Sequence, residues 1–142
     1  MFDFVLTCEH LFCIIYSHHN NNGGHEMNNT FNNFKIIAVD FDGTLCAECF
    51  PAIGNPNHKL IYALKEQKRL GNKLILWTCR NGERLSEAIA WCTMQGLSFD
   101  AINENLPEII ALYGSDSRKI TADIYIDDKS SLPWLYSLRD AV

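Results

Sequence analysis

Asp40 and Asp42 stand two positions apart at the end of an apolar run, followed by Gly43 and Thr44. A second acidic pair, Asp127-Asp128, ends a later apolar run. Carboxylates gathered at short range repel, so such a cluster requires protons or a cation. Hard oxygen donors with positions left open suit Mg²⁺, which keeps waters and takes up substrate phosphate. Groups able to hold phosphate oxygens accompany the acids. Thr78 and Arg80 end a second apolar run, and Arg118 and Lys119 precede the last. Thr78 and Lys119 can complete a phosphate cradle by hydrogen bonding and charge. Lys119 is preferred to its neighbour Arg118, although the loop could present either. At a strand end, the i, i+2 spacing sends Asp40 and Asp42 to one mouth and Phe41 into the core. One carboxylate can then attack phosphorus while the other handles the leaving-group proton. Gly43 permits the sharp exit that curls the second carboxylate back.

These residues work together only if the fold gathers them. KIIAVD (35–40), KLILWT (73–78), FDAI (99–102) and ADIYID (122–127) read as short buried strands. Between them, residues 58–70 place Leu60, Ile61 and Leu64 on one helical face, with Gly71 as the stop. Residues 83–95 do the same with Leu85, Ala88, Ile89 and Cys92. Leu106 to Tyr113 is a short helix with Pro107 in its first turn, and residues 132–141 read as a last helix. Strands alternating with helices imply an α/β, Rossmann-like parallel sheet covered on both faces, with predicted order 3-2-1-4. Ligands bind such sheets at the carboxyl ends of the strands, where the acids stand.

The chain has 142 residues, enough for one core. Residues 17–33 contain seven asparagines, which favour turns over helix or strand. Residues 1–33 are therefore read as outside the folded unit, and residues 34–142 as the domain. Met27 is a candidate start, since codons for Gly23-Gly24 can spell a ribosome-binding sequence; residues 1–26 would then be untranslated. A net charge of −5 offers no broad attraction for nucleic acid. No stretch is long and apolar enough to span a membrane. The six cysteines lack a disulfide framework, and Cys79 and Cys92 are expected as packed, reduced thiols in a cytoplasmic protein. Cys46 and Cys49 have no second pair for zinc and read as loop thiols. Trp77, Trp91 and Trp134 are spaced as core aromatics.

Asp40-Phe41-Asp42-Gly43-Thr44 resembles motif I of the haloacid dehalogenase superfamily. Thr78 is similar to its motif II, Lys119 to motif III and Asp127-Asp128 to motif IV, in order and spacing across about residues 35–138. The resemblance implies a Mg²⁺-dependent phosphatase. Asp40 would be the nucleophile that forms a phosphoaspartate. Asp42 would be the general acid and then the base. Thr78 and Lys119 would hold phosphoryl oxygens, with Lys119 also orienting Asp40. Asp128, Asp40 and the backbone carbonyl of Asp42 would ligate the metal, with Asp127 in support. The gaps between motifs leave no room for a cap domain, so the site should be open to bulky phosphates. Thr78-Cys79-Arg80 and Asp116-Ser117-Arg118-Lys119 resemble the phosphatase half of polynucleotide kinase–phosphatases. That likeness makes a nucleic acid 3′-phosphate a candidate substrate, with Arg80 and Arg118 as its contacts.

Two other functions fit parts of the pattern. A phosphoacceptor signalling domain also uses strand-end aspartates with Thr and Lys, but places its acidic pair on the first strand and the acceptor later. A non-catalytic binding module could keep the fold, although all the polar residues remain. The chain ends soon after motif IV without a clear fifth strand, which leaves a sheet edge for a partner or second copy to cover.

Overall fold

The computed structural model describes residues 34–130. Four strands, β1 (Ile36–Val39), β2 (Lys73–Leu76), β3 (Ala101–Ile102) and β4 (Ile124–Ile126), alternate with three helices, α1 (His58–Arg69), α2 (Gly82–Met94) and α3 (Pro107–Tyr113). All strand pairs are parallel, and the sheet order is β3-β2-β1-β4. This is the expected Rossmann-like α/β arrangement, and no cap domain interrupts the described residues. The helix expected at 132–141, Trp134 and the segment 1–33 lie outside them.

The strand pattern explains the layering. Both faces of β1 are buried, so its run is continuously apolar rather than alternating. Ile37 and Val39 pack with Leu74, Leu76 and Phe41 against Ile61 and Leu64 of α1 and Ala88 and Cys92 of α2. Ile36, Ala38 and Ile75 face the other way, against Leu106 just ahead of α3, Ile109 within it, and Ile120. The period of two along each strand thus divides its side chains between two helical layers. Truncating a fully buried side chain such as Leu64 or Leu76 to Ala would cost about 2–5 kcal/mol.

Helix termini follow local chemistry. Asn57 caps α1 by accepting the Leu60 N–H at 3.2 Å, and Lys68 and Arg69 in the last turn complement the helix dipole. α3 begins at Pro107, one residue later than expected, because Leu106 holds an extended ψ of 144° ahead of the proline. β3 and β4 are shorter than their apolar runs. Asp100 and Asp123 at their starts turn side chains back onto the backbone N–H groups of Leu74 and Ile36, at 2.9 and 2.8 Å.

Candidate active site at the β1–β4 edge

From β1 the chain steps outward to β2 and β3, then returns to place β4 on the other side of β1. The direction of winding reverses between β1 and β4, and open α/β sheets bind ligands at the carboxyl ends of the strands at such a switch point. Val39 pairs with Ile126, and the Asp40 N–H donates to the Ile126 carbonyl at 2.9 Å. One residue further, Asp40, Asp127 and Asp128 meet: each offers a carboxylate oxygen within 4.8 Å of the others.

Burial pushes the Asp40 carboxyl up to about 6; a hydrogen bond from Phe41 N–H opposes this, and repulsion from Asp127 and Asp128 adds to it. Asp128 is pushed up as well, first by lost solvation and further by its neighbour Asp127, against the pull of Lys129. No ion pair within 4.0 Å joins these acids to a basic side chain among the described residues, Lys129 acting on Asp128 only from further off, and their oxygen donors match the preference of Mg²⁺. The donor set therefore fits the ion that the sequence implies.

Thr44, which sequence reasoning left without a role, joins the two halves of the cluster. Its buried hydroxyl approaches Asp40 Oδ2 at 3.4 Å and accepts the Asp128 N–H at 3.0 Å. Gly43 supplies the close approach. Its φ is 76°, and a Cβ there would lie 2.3 Å from Asp128 Oδ2. Phe41 is fully buried, as the i, i+2 argument requires, and meets Trp91 edge-on at 5.4 Å.

Asp42 has a different environment. Arg80 forks onto it, Nε donating to Oδ2 at 2.8 Å and Nη2 to Oδ1 at 2.7 Å. The Arg80 side chain is 1% exposed. It also donates to the carbonyls of Pro51 and Ala52, at 3.2 and 2.7 Å. The hydrogen bonds to Asp42, against the cost of burial, push the guanidinium above its ordinary value, and the Asp42 charge adds to this. Removing one partner of such a buried pair costs about 3–5 kcal/mol. Arg80 is thus neither a surface charge nor, in this arrangement, a group facing substrate. Nothing in its sequence context marks the inward turn, because the two carbonyls it meets come from a loop without a recognisable pattern.

Thr78 lies just past β2 at the same sheet edge. Its hydroxyl accepts the Arg80 N–H at 3.1 Å, and its own N–H is held by Asn103 Oδ1 at 2.8 Å. Asn103, another residue the sequence did not single out, takes a left-handed φ of 54° that Asn tolerates. Arg118 and Lys119 are exposed on the segment between α3 and β4, and neither side chain makes a hydrogen bond or ion pair among the described residues. The structure therefore gathers Asp40, Asp127 and Asp128, links Asp42 to Arg80, and leaves Lys119 apart from Asp40. Cys92 is packed in the core as expected, whereas Cys79 is exposed; Cys46 and Cys49 are unpaired. Cys79 follows Thr78 in the turn beyond β2, where the chain has left the sheet and its helical cover.

No family model and no curated protein matches this sequence. Among solved structures, a conserved protein from Bacteroides thetaiotaomicron is similar, with 38% sequence identity and a TM-score of 0.62. The match covers 77% of this chain and 92% of that protein.

Proposed function

The chain belongs to the family of that conserved Bacteroides thetaiotaomicron protein, and we propose that it is a Mg²⁺-dependent phosphomonoesterase of the haloacid dehalogenase type. The observation that carries the reading is the convergence of Asp40, Asp127 and Asp128 at the carboxyl ends of β1 and β4, with Asp42 two residues beyond Asp40. Asp40, Asp127 and Asp128 would hold Mg²⁺, which when bound neutralises the carboxylates and draws off charge from the phosphoryl oxygens.

The remaining chemistry belongs to the chain. An Asp40 oxygen attacks phosphorus as the bond to the leaving oxygen breaks. The electron pair departs on that oxygen, which takes a proton carried on one of the Asp42 carboxyl lone pairs that the Arg80 fork leaves free. Water then attacks the phosphoaspartate and gives its proton to Asp42, so phosphate leaves and both residues return to their starting forms. Thr78 supplies a hydroxyl hydrogen bond to a phosphoryl oxygen. The described edge carries no cap, which favours a phosphate presented end-on by a bulky molecule. Oligonucleotide 3′-phosphates stay in the substrate panel on the strength of exposed Arg118 alone, since Arg80 is committed inward.

Purified protein should release p-nitrophenol from p-nitrophenyl phosphate only with Mg²⁺, over repeated turnovers. Asp40→Asn should abolish release. Turnover surviving in Asp40→Asn, or calorimetry without magnesium uptake, would remove the mechanism. A single equivalent of product followed by arrest would identify a phosphoacceptor instead.

A further inference from the structure

We propose that Arg80 is a positioning residue for proton transfer by Asp42, and that it ties Asp42 to the turn at Phe50–Ala52; the inference rests on the phosphatase reading above. Four hydrogen bonds leave the guanidinium little freedom: two go to Asp42, one to the Pro51 carbonyl and one to the Ala52 carbonyl. Two rings lie against it, the centroids of Phe41 and Phe50 standing 5.0 and 5.2 Å from its Cζ. Phe41 belongs to the core, whereas Phe50 is 59% exposed and forms the outer wall. Carboxylate, guanidinium and turn therefore behave as one rigid unit. The Asp42 carboxylate cannot rotate without breaking both bonds of the fork, so its aim is set by where the 50–52 turn holds Arg80.

A charge enclosed in this way does not reach substrate, so its effect passes through Asp42. The aim of Asp42 matters most when the departing oxygen needs a proton. An alkyl alcohol leaves poorly as its anion and depends on that proton; p-nitrophenolate leaves readily without it. A lysine at position 80 would keep a charge but lose the planar fork.

The test compares wild-type protein with Arg80→Met and Arg80→Lys, each also in an Asp42→Asn background. The single-turnover rate of alcohol release, which precedes water attack on the phosphoaspartate and so isolates the leaving-group step, is measured with p-nitrophenyl phosphate and with glycerol 2-phosphate. Arg80→Met should lower that rate on the alkyl phosphate about a hundredfold, with a much smaller loss on p-nitrophenyl phosphate and little change in the substrate concentration that gives half the maximal rate. Arg80→Lys should fall between. In the Asp42→Asn background neither change should add a further loss, because residues acting as one unit are non-additive. If Arg80→Met fails to fold, the substrate ratio of Arg80→Lys carries the comparison. Equal losses on both substrates, or a full additional loss without Asp42, would show that Arg80 serves only the fold and overturn the inference while the phosphatase reading stands. Wild-type protein without turnover on either substrate would end both.

Discussion

At Gly43 the site depends on an atom that is missing. The backbone there has φ 76°, a conformation that side chains rarely adopt, and a Cβ would lie 2.3 Å from Asp128 Oδ2 and 2.8 Å from its Cγ. A short carboxylate side chain has no flexible end to swing away, so Gly43→Ala must displace Asp128 from Asp40. Magnesium affinity, read by calorimetry, should fall about 10–100-fold, the range seen when the support of a metal ligand is lost. The fold should survive with about 1 kcal/mol or more of strain, visible as a lower Tm. An unchanged Kd would mean that Asp128 is not a ligand. Gly43 was legible in the sequence, since a tight exit after two strand-end acids calls for glycine. Thr44 was not, because its bridge to the Asp128 N–H depends on how β4 lies beside β1. The inward course of Arg80 was hidden for the same reason: its partners lie 28 and more residues away.

Elements were easier to read than the loops that join them. Apolar runs and glycine stops marked β1, β2, α1 and α2, because a strand buried on both faces and an amphipathic helix leave different periods in sequence. The segment from α3 to β4 has no such period, although it carries Arg118 and Lys119. What shapes it is Asn105, which is 1% exposed. Its side-chain nitrogen donates to Asp116 Oδ1 at 2.7 Å and to the Ser117 carbonyl at 3.2 Å, while its oxygen accepts the Thr121 N–H at 2.6 Å. One amide therefore gathers both ends of the connection. Asn105→Ala leaves these groups unsatisfied and should cost about 1–3 kcal/mol in denaturant unfolding. Asn105→Asp keeps the acceptor for Thr121 but sets a second carboxylate against Asp116, so it should recover little of the loss. A variant as stable as wild type would show that water replaces these bonds at no cost.

Across the whole molecule, acids at the two ends of the sheet are treated in opposite ways. At the amino end, Asp100 accepts the Leu74 N–H and the Lys68 ammonium, and Asp123 accepts the Ile36 N–H beside Lys35. Burial alone would raise Asp100, but these hydrogen bonds and charges outweigh it and hold it below the usual carboxylate range. At the carboxyl end, burial pushes Asp40 and Asp128 up, and repulsion within the cluster with Asp127 adds to it. In metal-free protein Asp40 keeps its proton up to about 6, against 3.8 for an unperturbed carboxyl. Between those values the folded state binds more protons than the unfolded state, so stability from this group is present at low pH and is lost as pH rises through about 6. Mg²⁺ competes with that proton and should bind more tightly as pH climbs through the same window. Melting curves at pH 5 and pH 7.5 test the argument. Magnesium should raise Tm more at pH 7.5, the stabilisation approaching about 2.7 kcal/mol when free ion stands a hundredfold above Kd. Asp128→Asn should lose most of that gain, and in the absence of metal at pH 7.5 it should melt above wild type because one repelling charge is gone. A magnesium effect that is larger at pH 5, or that survives intact in Asp128→Asn, would place the ion elsewhere and leave the acidic edge without its cation.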